Sequence, residues 1–160
     1  MMTMQTRRGA HLTLGPMTAA ELMSPNPISI NADAPIDEAT ALLTDRDFGA
    51  APVIDEAGRP VGVISRADIL IHELERLHRL RPSTDIRGAN GFAVEEVDPT
   101  CVVDVMTPAV FSVAPDTTAE QVVEQMRELR VHQLFVVDRE GSLIGIISAL
   151  DIVRQLRAER

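Results

Sequence analysis

The chain has 160 residues, 45% of them hydrophobic and 24% charged, which describes an ordinary globular protein of one domain or two small ones. Its formal charge of −9 and its lack of Trp and Tyr argue against a nucleic-acid polymer as partner, because field and stacking platforms are both wrong for one. No apolar run is long enough to span a membrane, and the single cysteine, Cys101, excludes an internal disulfide; both fit a cytoplasmic protein.

In chain order, residues 1–17 read as a tail with two arginines and no signal-peptide apolar core. Then "PISI" (27–30) is a short extended stretch after a Met-x-Pro break. "PIDEATALLTDRD" (35–47) has apolar residues at helical spacing behind a starting proline. "APVIDEAGRPVGVIS" (51–65) is two β-rich runs joined by a turn whose Gly58 suits φ > 0, a hairpin signal. A helix over 66–80 begins at Ser-x-x-Asp and keeps Leu70, Leu74, Leu77 and Leu80 on one stripe, either core or a surface for a partner helix. Residues 81–100, rich in Gly, Pro and polar side chains, read as a linker.

After the linker the pattern starts again. Displacing the chain by 83 residues aligns 22–70 with 105–153 without a gap, and 12 of 49 positions are identical. The identities fall on residues with positional jobs: Met23/Met106, Pro25/Pro108, Asp55/Asp138, Gly58/Gly141, Gly62/Gly145, Ser65/Ser148 and Asp68/Asp151 among them. "VFSV" (110–113), a helix carrying Val122, Val123, Met126 and Leu129, the hairpin "LFVVDREGSLIGIIS" (134–148) and a last helix repeat the order strand, helix, strand, strand, helix. The expected fold class is α+β with layered α/β packing: two pseudo-twofold-related βαββα halves, at 18–80 and 101–160, whose small sheets are covered by helices. A half of this size is marginal alone, so the two should pack together.

With these motifs in place twice and in order, the chain resembles a tandem pair of cystathionine-β-synthase (CBS) domains, the Bateman module, over about residues 18–76 and 101–157. The resemblance rests on Met-Ser/Thr-Pro, Pro-Asp-Thr-Thr, Val-Val-Asp-x-x-Gly and Gly-Ile-Ile-Ser-x-x-Asp. It implies adenosyl ligands (AMP, ADP, ATP or S-adenosylmethionine) in clefts between halves, no obligatory cofactor, pairing into a homodimer and regulation of a protein partner in trans. It implies no catalysis.

Two readings of each Ser-x-x-Asp stand side by side. Ser65 or Ser148 can cap a helix whose first turn holds Asp68 or Asp151. An ionised carboxylate at the same place, an acceptor only, also suits ribose hydroxyls, the role that similar modules imply for Asp68 and Asp151. The small residues Gly49, Ala50 and Ala51 permit close approach of a base or else pack a strand entry tightly, and Arg66 either offers a fork of donors to a phosphate or is a solvated helix-start residue. By resemblance, one cleft would use Gly49, Ala50, Ala51, Ser65 and Asp68 with Val110 and Phe111. The other would use His132, Gln133, Leu134, Ser148 and Asp151 with Pro27 and Ile28. Gln133 stands where the family often has arginine, Phe135 where it usually has proline, and Ala149 where the first copy has Arg66.

His11, His72, His78 and His132 show no metal-ligand spacing, and no Walker loop or G-x-G-x-x-G occurs, so neither a metal nor a catalytic constellation is expected. The reading is therefore a regulatory, non-enzymatic module. The alternative is a structural dimerisation or adaptor domain with empty clefts.

Overall fold

The computed structural model describes residues 11–80 and 98–158. The first ten residues of the expected tail and most of the expected linker, 81–97, lie outside the described residues. The elements run β1 (Leu12–Leu14), α1 (Ala19–Leu22), β2 (Ser24–Pro25), β3 (Ile30–Asn31), α2 (Ile36–Asp45), β4 (Ala50–Ile54), β5 (Pro60–Ser65), α3 (Arg66–Arg79), α4 (Val102–Val105), β6 (Ser112–Val113), α5 (Ala119–Leu129), β7 (Gln133–Val137), β8 (Leu143–Ser148), α6 (Ala149–Gln155) and β9 (Leu156–Ala158). This is the mixed α/β architecture expected, with each repeat adding a short leading helix (α1, α4) that apolar periodicity is too brief to reveal. Two compact units form. One comprises residues 27–110 with 141–143, and the other the segments before 27, 111–140 and from 144 on. They are called here the Asp68 unit and the Asp151 unit.

In the Asp68 unit the sheet order is β3-β4-β5, with β3 parallel and β5 antiparallel to β4. Its core joins Ile30, Ile36, Leu43, Val53 and Ile64 to Val102 of α4, all at most 4% exposed. α4 is held by backbone bonds at both ends: Val102 N–H donates to Ala34 O at 2.9 Å, and Thr107 exchanges bonds with Val63, each at 2.9 Å. Gly62 is required here by steric contact, since a methyl group on it would lie 2.6 Å from Thr107 O and 2.7 Å from Met106 Sδ.

The Asp151 unit repeats this plan with the order β2-β8-β7-β6. Leu22 of α1 takes the place of Val105 beside a core of Val113, Val122, Met126, Leu134, Val136 and Ile147. A methyl on Gly145 would run into the Met23 side chain. Each unit thus takes the leading helix of one repeat and the hairpin of the other, and the repeated Met and Gly are the two sides of that contact. Within the same unit β1 pairs antiparallel with β9, Leu12 facing Ala158 and Leu14 facing Leu156.

Both hairpin turns hold glycine at positive φ, +77° at Gly58 and +84° at Gly141, where a side chain is strained. Asp55 Oδ1 accepts the N–H groups of Ala57 and Arg59, both at 2.9 Å, and Asp138 Oδ1 accepts that of Glu140 at 2.9 Å, so the repeated Asp-x-x-Gly closes the turn. The helices bury less than their apolar spacing spans. On α5 only Ala119, Val122 and Met126 are buried, while Val123 and Leu129 face outward. On α3 no residue is buried, so the Leu70, Leu74, Leu77 and Leu80 stripe is not core.

Candidate functional site

The Ser-x-x-Asp is a reciprocal cap in both units. Ser65 Oγ accepts from Asp68 N–H at 3.2 Å, while Asp68 Oδ2 accepts from Ser65 N–H at 2.8 Å and from its hydroxyl at 2.7 Å. Ser148 and Asp151 reproduce this with the same three distances. Serine and aspartate at this spacing satisfy two helix N–H groups that have no partner inside the helix. The second oxygen of each carboxylate is held more loosely. Asp68 Oδ1 accepts from the Thr107 hydroxyl at 3.4 Å, and Asp151 Oδ1 lies 3.8 Å from Arg154 Nη1. One oxygen fixes the carboxylate and the other has only a longer contact, so capping and hydroxyl recognition are compatible in one side chain.

Around Asp68 the small residues are brought together by strand register. Ala50 faces Ser65 and Ala51 faces Ile64 across the hairpin, and Arg66 N–H donates to Gly49 O at 3.0 Å. Gly49 and Ala50 are exposed while Ala51 is buried, so the edge beside the cap presents backbone rather than side chains. The Asp151 unit assembles His132, Gln133, Leu134, Ser148 and Asp151 the same way, with Ala149 N–H donating to His132 O at 2.9 Å. His132 and Gln133 are exposed, but Leu134 is a core residue at 1% exposure. Val110 belongs to the Asp68 unit and is half-buried, as is Pro27; Ile28 in the same unit and Phe111 in the other are exposed.

Arg66 is already engaged. Its Nη2 donates to Asp47 Oδ1 at 2.8 Å and to Leu43 O at 3.2 Å, so the guanidinium covers the end of α2. In the Asp151 unit the equivalent positions are Ala149 and Arg130. With no guanidinium crossing from α6, a 420 Å3 groove stays open there, floored by Met126, Val131 and Ile152 and edged by Arg127, Arg130 and His132.

Residues that sequence reading passed over also lie here. Thr107, inside the Met-Thr-Pro motif, reaches Asp68. His72 Nε2 lies 2.7 Å from Asp98 Oδ2, a contact across 26 residues that no spacing pattern would show. The His72 hydrogen bond, with help from Thr100, holds the Asp98 carboxyl far below the ordinary carboxylate range. Among the described residues no helix is long and apolar enough to cross a membrane.

Comparison with known proteins bears on the chain as a whole. The family model described as CBS domain matches residues 19–75 and again 102–158. The chain is 30% identical over 144 residues to the uncharacterized protein MJ1426 of Methanocaldococcus jannaschii, covering 81% of this chain and 86% of that one. It is 28% identical over 151 residues to the chloroplastic CBS domain-containing protein CBSX2 of Arabidopsis thaliana, covering 88% of this chain and 63% of that protein. The crystal structure of CBSX2 in complex with AMP superimposes with a TM-score of 0.64 at 28% identity, over 86% of this chain and 94% of that one. The cytosolic domain of the Mg2+ channel MgtE in complex with ATP gives a TM-score of 0.62 at 27% identity, over 86% of this chain and 48% of that one. Both halves of the duplication being matched, the chain belongs to the CBS-domain family, as a tandem pair.

Proposed function

We propose that this chain is a regulatory module that binds an adenine nucleotide and signals its occupancy to a protein partner in trans, acting in the cytoplasm as a homodimer and catalysing no reaction. The observation that carries the reading is the divided carboxylate of Asp68 and Asp151, one oxygen spent on the cap and the other held only by a longer contact, an acceptor with capacity to spare. A ribose offers two hydroxyl donors, and the exposed backbone of Gly49 and Ala50 leaves room for a flat base. The solved relatives that carry AMP and ATP support the same ligand class. Val110, Phe111, Pro27 and Ile28 are assigned as apolar ligand contacts. Gln133, beside His132, gives the Asp151 set less positive charge for a phosphate than an arginine there would.

Signalling follows from population shift: a nucleotide that binds one conformation more tightly biases the module toward it by its differential affinity alone. For the homodimer the supporting feature is the unburied stripe on α3, where Leu70, Leu74, Leu77 and Leu80 are each between 49% and 62% exposed. Leu74→Glu with Leu77→Glu should convert a dimer to monomer in sedimentation, and an unchanged dimer would remove α3 from the interface.

The test of ligand binding begins with the near-ultraviolet spectrum of freshly purified protein and mass analysis of whatever heat releases. With neither Trp nor Tyr the chain absorbs little there, so a carried purine would dominate. AMP, ADP, ATP and S-adenosylmethionine are then titrated into the stripped protein and into Asp68→Ala with Asp151→Ala. Binding lost in the double variant, with the fold intact, supports the assignment. Unchanged affinity there, or no binding to any of the four by the parent protein, overturns it.

A further inference from the structure

We propose that His72, Glu73 and Asp98 form a binding site for a divalent transition-metal ion in the Asp68 unit. One ligand atom from each, an imidazole nitrogen and two carboxylate oxygens, lies within 4.8 Å of the other two. Imidazole with carboxylates is a donor set that zinc and its borderline neighbours accept, three protein ligands leaving a position for water. The His72 and Asp98 side chains are only 12% and 7% exposed, so a bound ion would be shielded from bulk solvent.

Much of the site is pre-arranged. His72 Nε2 and Asp98 Oδ2 stand 2.7 Å apart, sharing a proton. Tetrahedral ligands about 2.0–2.1 Å from zinc sit roughly 3.3 Å apart, so the ion replaces that proton once this pair parts by about half an ångström and the Glu73 carboxylate closes in from within 4.8 Å. The displaced proton goes to solvent and the imidazole binds as its Nδ1–H form. Thr100 N–H donates to Asp98 Oδ1 at 3.0 Å, holding the carboxylate in orientation from behind. Glu73 follows His72 directly on α3, and its nearest charge partner, Arg76 Nη1, is 3.7 Å from Glu73 Oε2, a loose pair that a metal can displace.

There is also a way in. A 210 Å3 cavity reaches His72 on a side lined by Asp68, Glu75 and Asp104, three carboxylates that raise the local concentration of a cation. Arg76 and Arg79 border a second cavity of 390 Å3 that also reaches His72 and Asp98, so a cation enters from the acidic side rather than from theirs. An ion seated at this point would tie α3 to the segment that opens the second repeat, across 26 residues of chain. The proposal does not depend on nucleotide binding, since none of its three ligands is assigned to the nucleotide.

The experiment is calorimetric titration of the chelator-stripped full chain with ZnCl2, paralleled by the visible spectrum with CoCl2. One ion per chain should bind and raise the melting temperature. Glu73→Gln removes a ligand while leaving the His72–Asp98 bond, so it should bind zinc roughly tenfold or more weakly with its metal-free melting temperature unchanged. Asp98→Asn should lose the cobalt d–d band. Zinc affinity unchanged in both variants, or no binding by the parent chain, overturns the site.

Discussion

At Pro52 the Asp68 unit has a strand residue with no N–H, whereas the equivalent Phe135 of the Asp151 unit donates to Phe111 O at 2.9 Å. In consequence β6 pairs with β7 from Ser112 onward, but β3 pairs with β4 only from Ile30, one step later in the repeat. Near the cap the contrast runs through side chains: Gly49 against His132, Arg66 against Ala149, Asp47 against Arg130. The positions that stay identical include those where backbone geometry dictates the residue, the turn glycines, the Met–Gly contact and the Ser-x-x-Asp cap, beside core residues such as Val53/Val136 and Ile64/Ile147. One scaffold therefore carries two differently furnished edges. Asp47 and Arg130 show how strictly the scaffold is kept, because opposite charges occupy the same left-handed conformation, with φ of 53° and 54°.

Making the Asp151 unit like the other is the most drastic way to test this. Phe135→Pro removes the bond to Phe111 O and empties a side chain that is only 5% exposed. The expected cost is about 4 kcal/mol or more, read by urea denaturation. A loss below about 1 kcal/mol would mean that strand pairing is not what separates the two units. Next come the paired glycines. Gly62→Ala brings a methyl against backbone at Thr107 O, which cannot swing aside, while Gly145→Ala meets only the Met23 side chain. Both should destabilise, within about 1–3 kcal/mol, with Gly62→Ala at the upper end. Equal costs would show that Met23 is as immobile as backbone.

The two hairpins, the long helices and the Ser-x-x-Asp caps could be read directly from the chain, since each is fixed by residues within a few positions of one another. Asp55, Gly58 and Arg59 make one turn by themselves, and Ser65 with Asp68 one cap. What the sequence concealed depends on distant partners. Nothing near Gly62 announces Met106, and nothing in α3 announces Asp98. The two-residue strands β3 and β6 are too short for alternation to register, and β1 meets β9 from opposite ends of the chain. At the candidate site the carboxylates and small residues were legible by type and repeat. The engagement of Arg66 was not legible, because its partners, Leu43 O and Asp47, lie 23 and 19 residues away. The leucines of α3 show a further limit: periodicity identifies an apolar face but not what covers it.

Arg66 supplies a gentler test of the contrast. Its pair with Asp47 joins side chains that are 52% and 94% exposed, so Arg66→Ala should cost less than about 1 kcal/mol. The substitution should instead open, beside α2, a groove like the one next to Ala149, measurable as increased binding of an apolar fluorescent dye. Dye binding that does not rise would place the origin of the groove in Arg130 and His132 rather than in the missing guanidinium.

The smallest effect separates the two turns. Asp55 has Arg59 both as a backbone donor and as an ion-pair partner at 3.1 Å, and the Arg59 backbone bond leads the interactions that hold the Asp55 carboxyl below its ordinary value. Because the folded state lowers this pKa, the ionised carboxylate stabilises the fold above the unfolded value of about 3.9, and that contribution fades as pH falls through the lowered folded value. Asp55→Asn should therefore melt slightly below the parent chain at neutral pH, with the gap closing toward pH 3. In the other turn Ser142 stands where Arg59 does, and it has no guanidinium to offer. Added salt should accordingly narrow the gap for Asp55→Asn. A gap that salt leaves unchanged would show that Asp55 acts through the backbone of its turn and gains nothing from Arg59's charge.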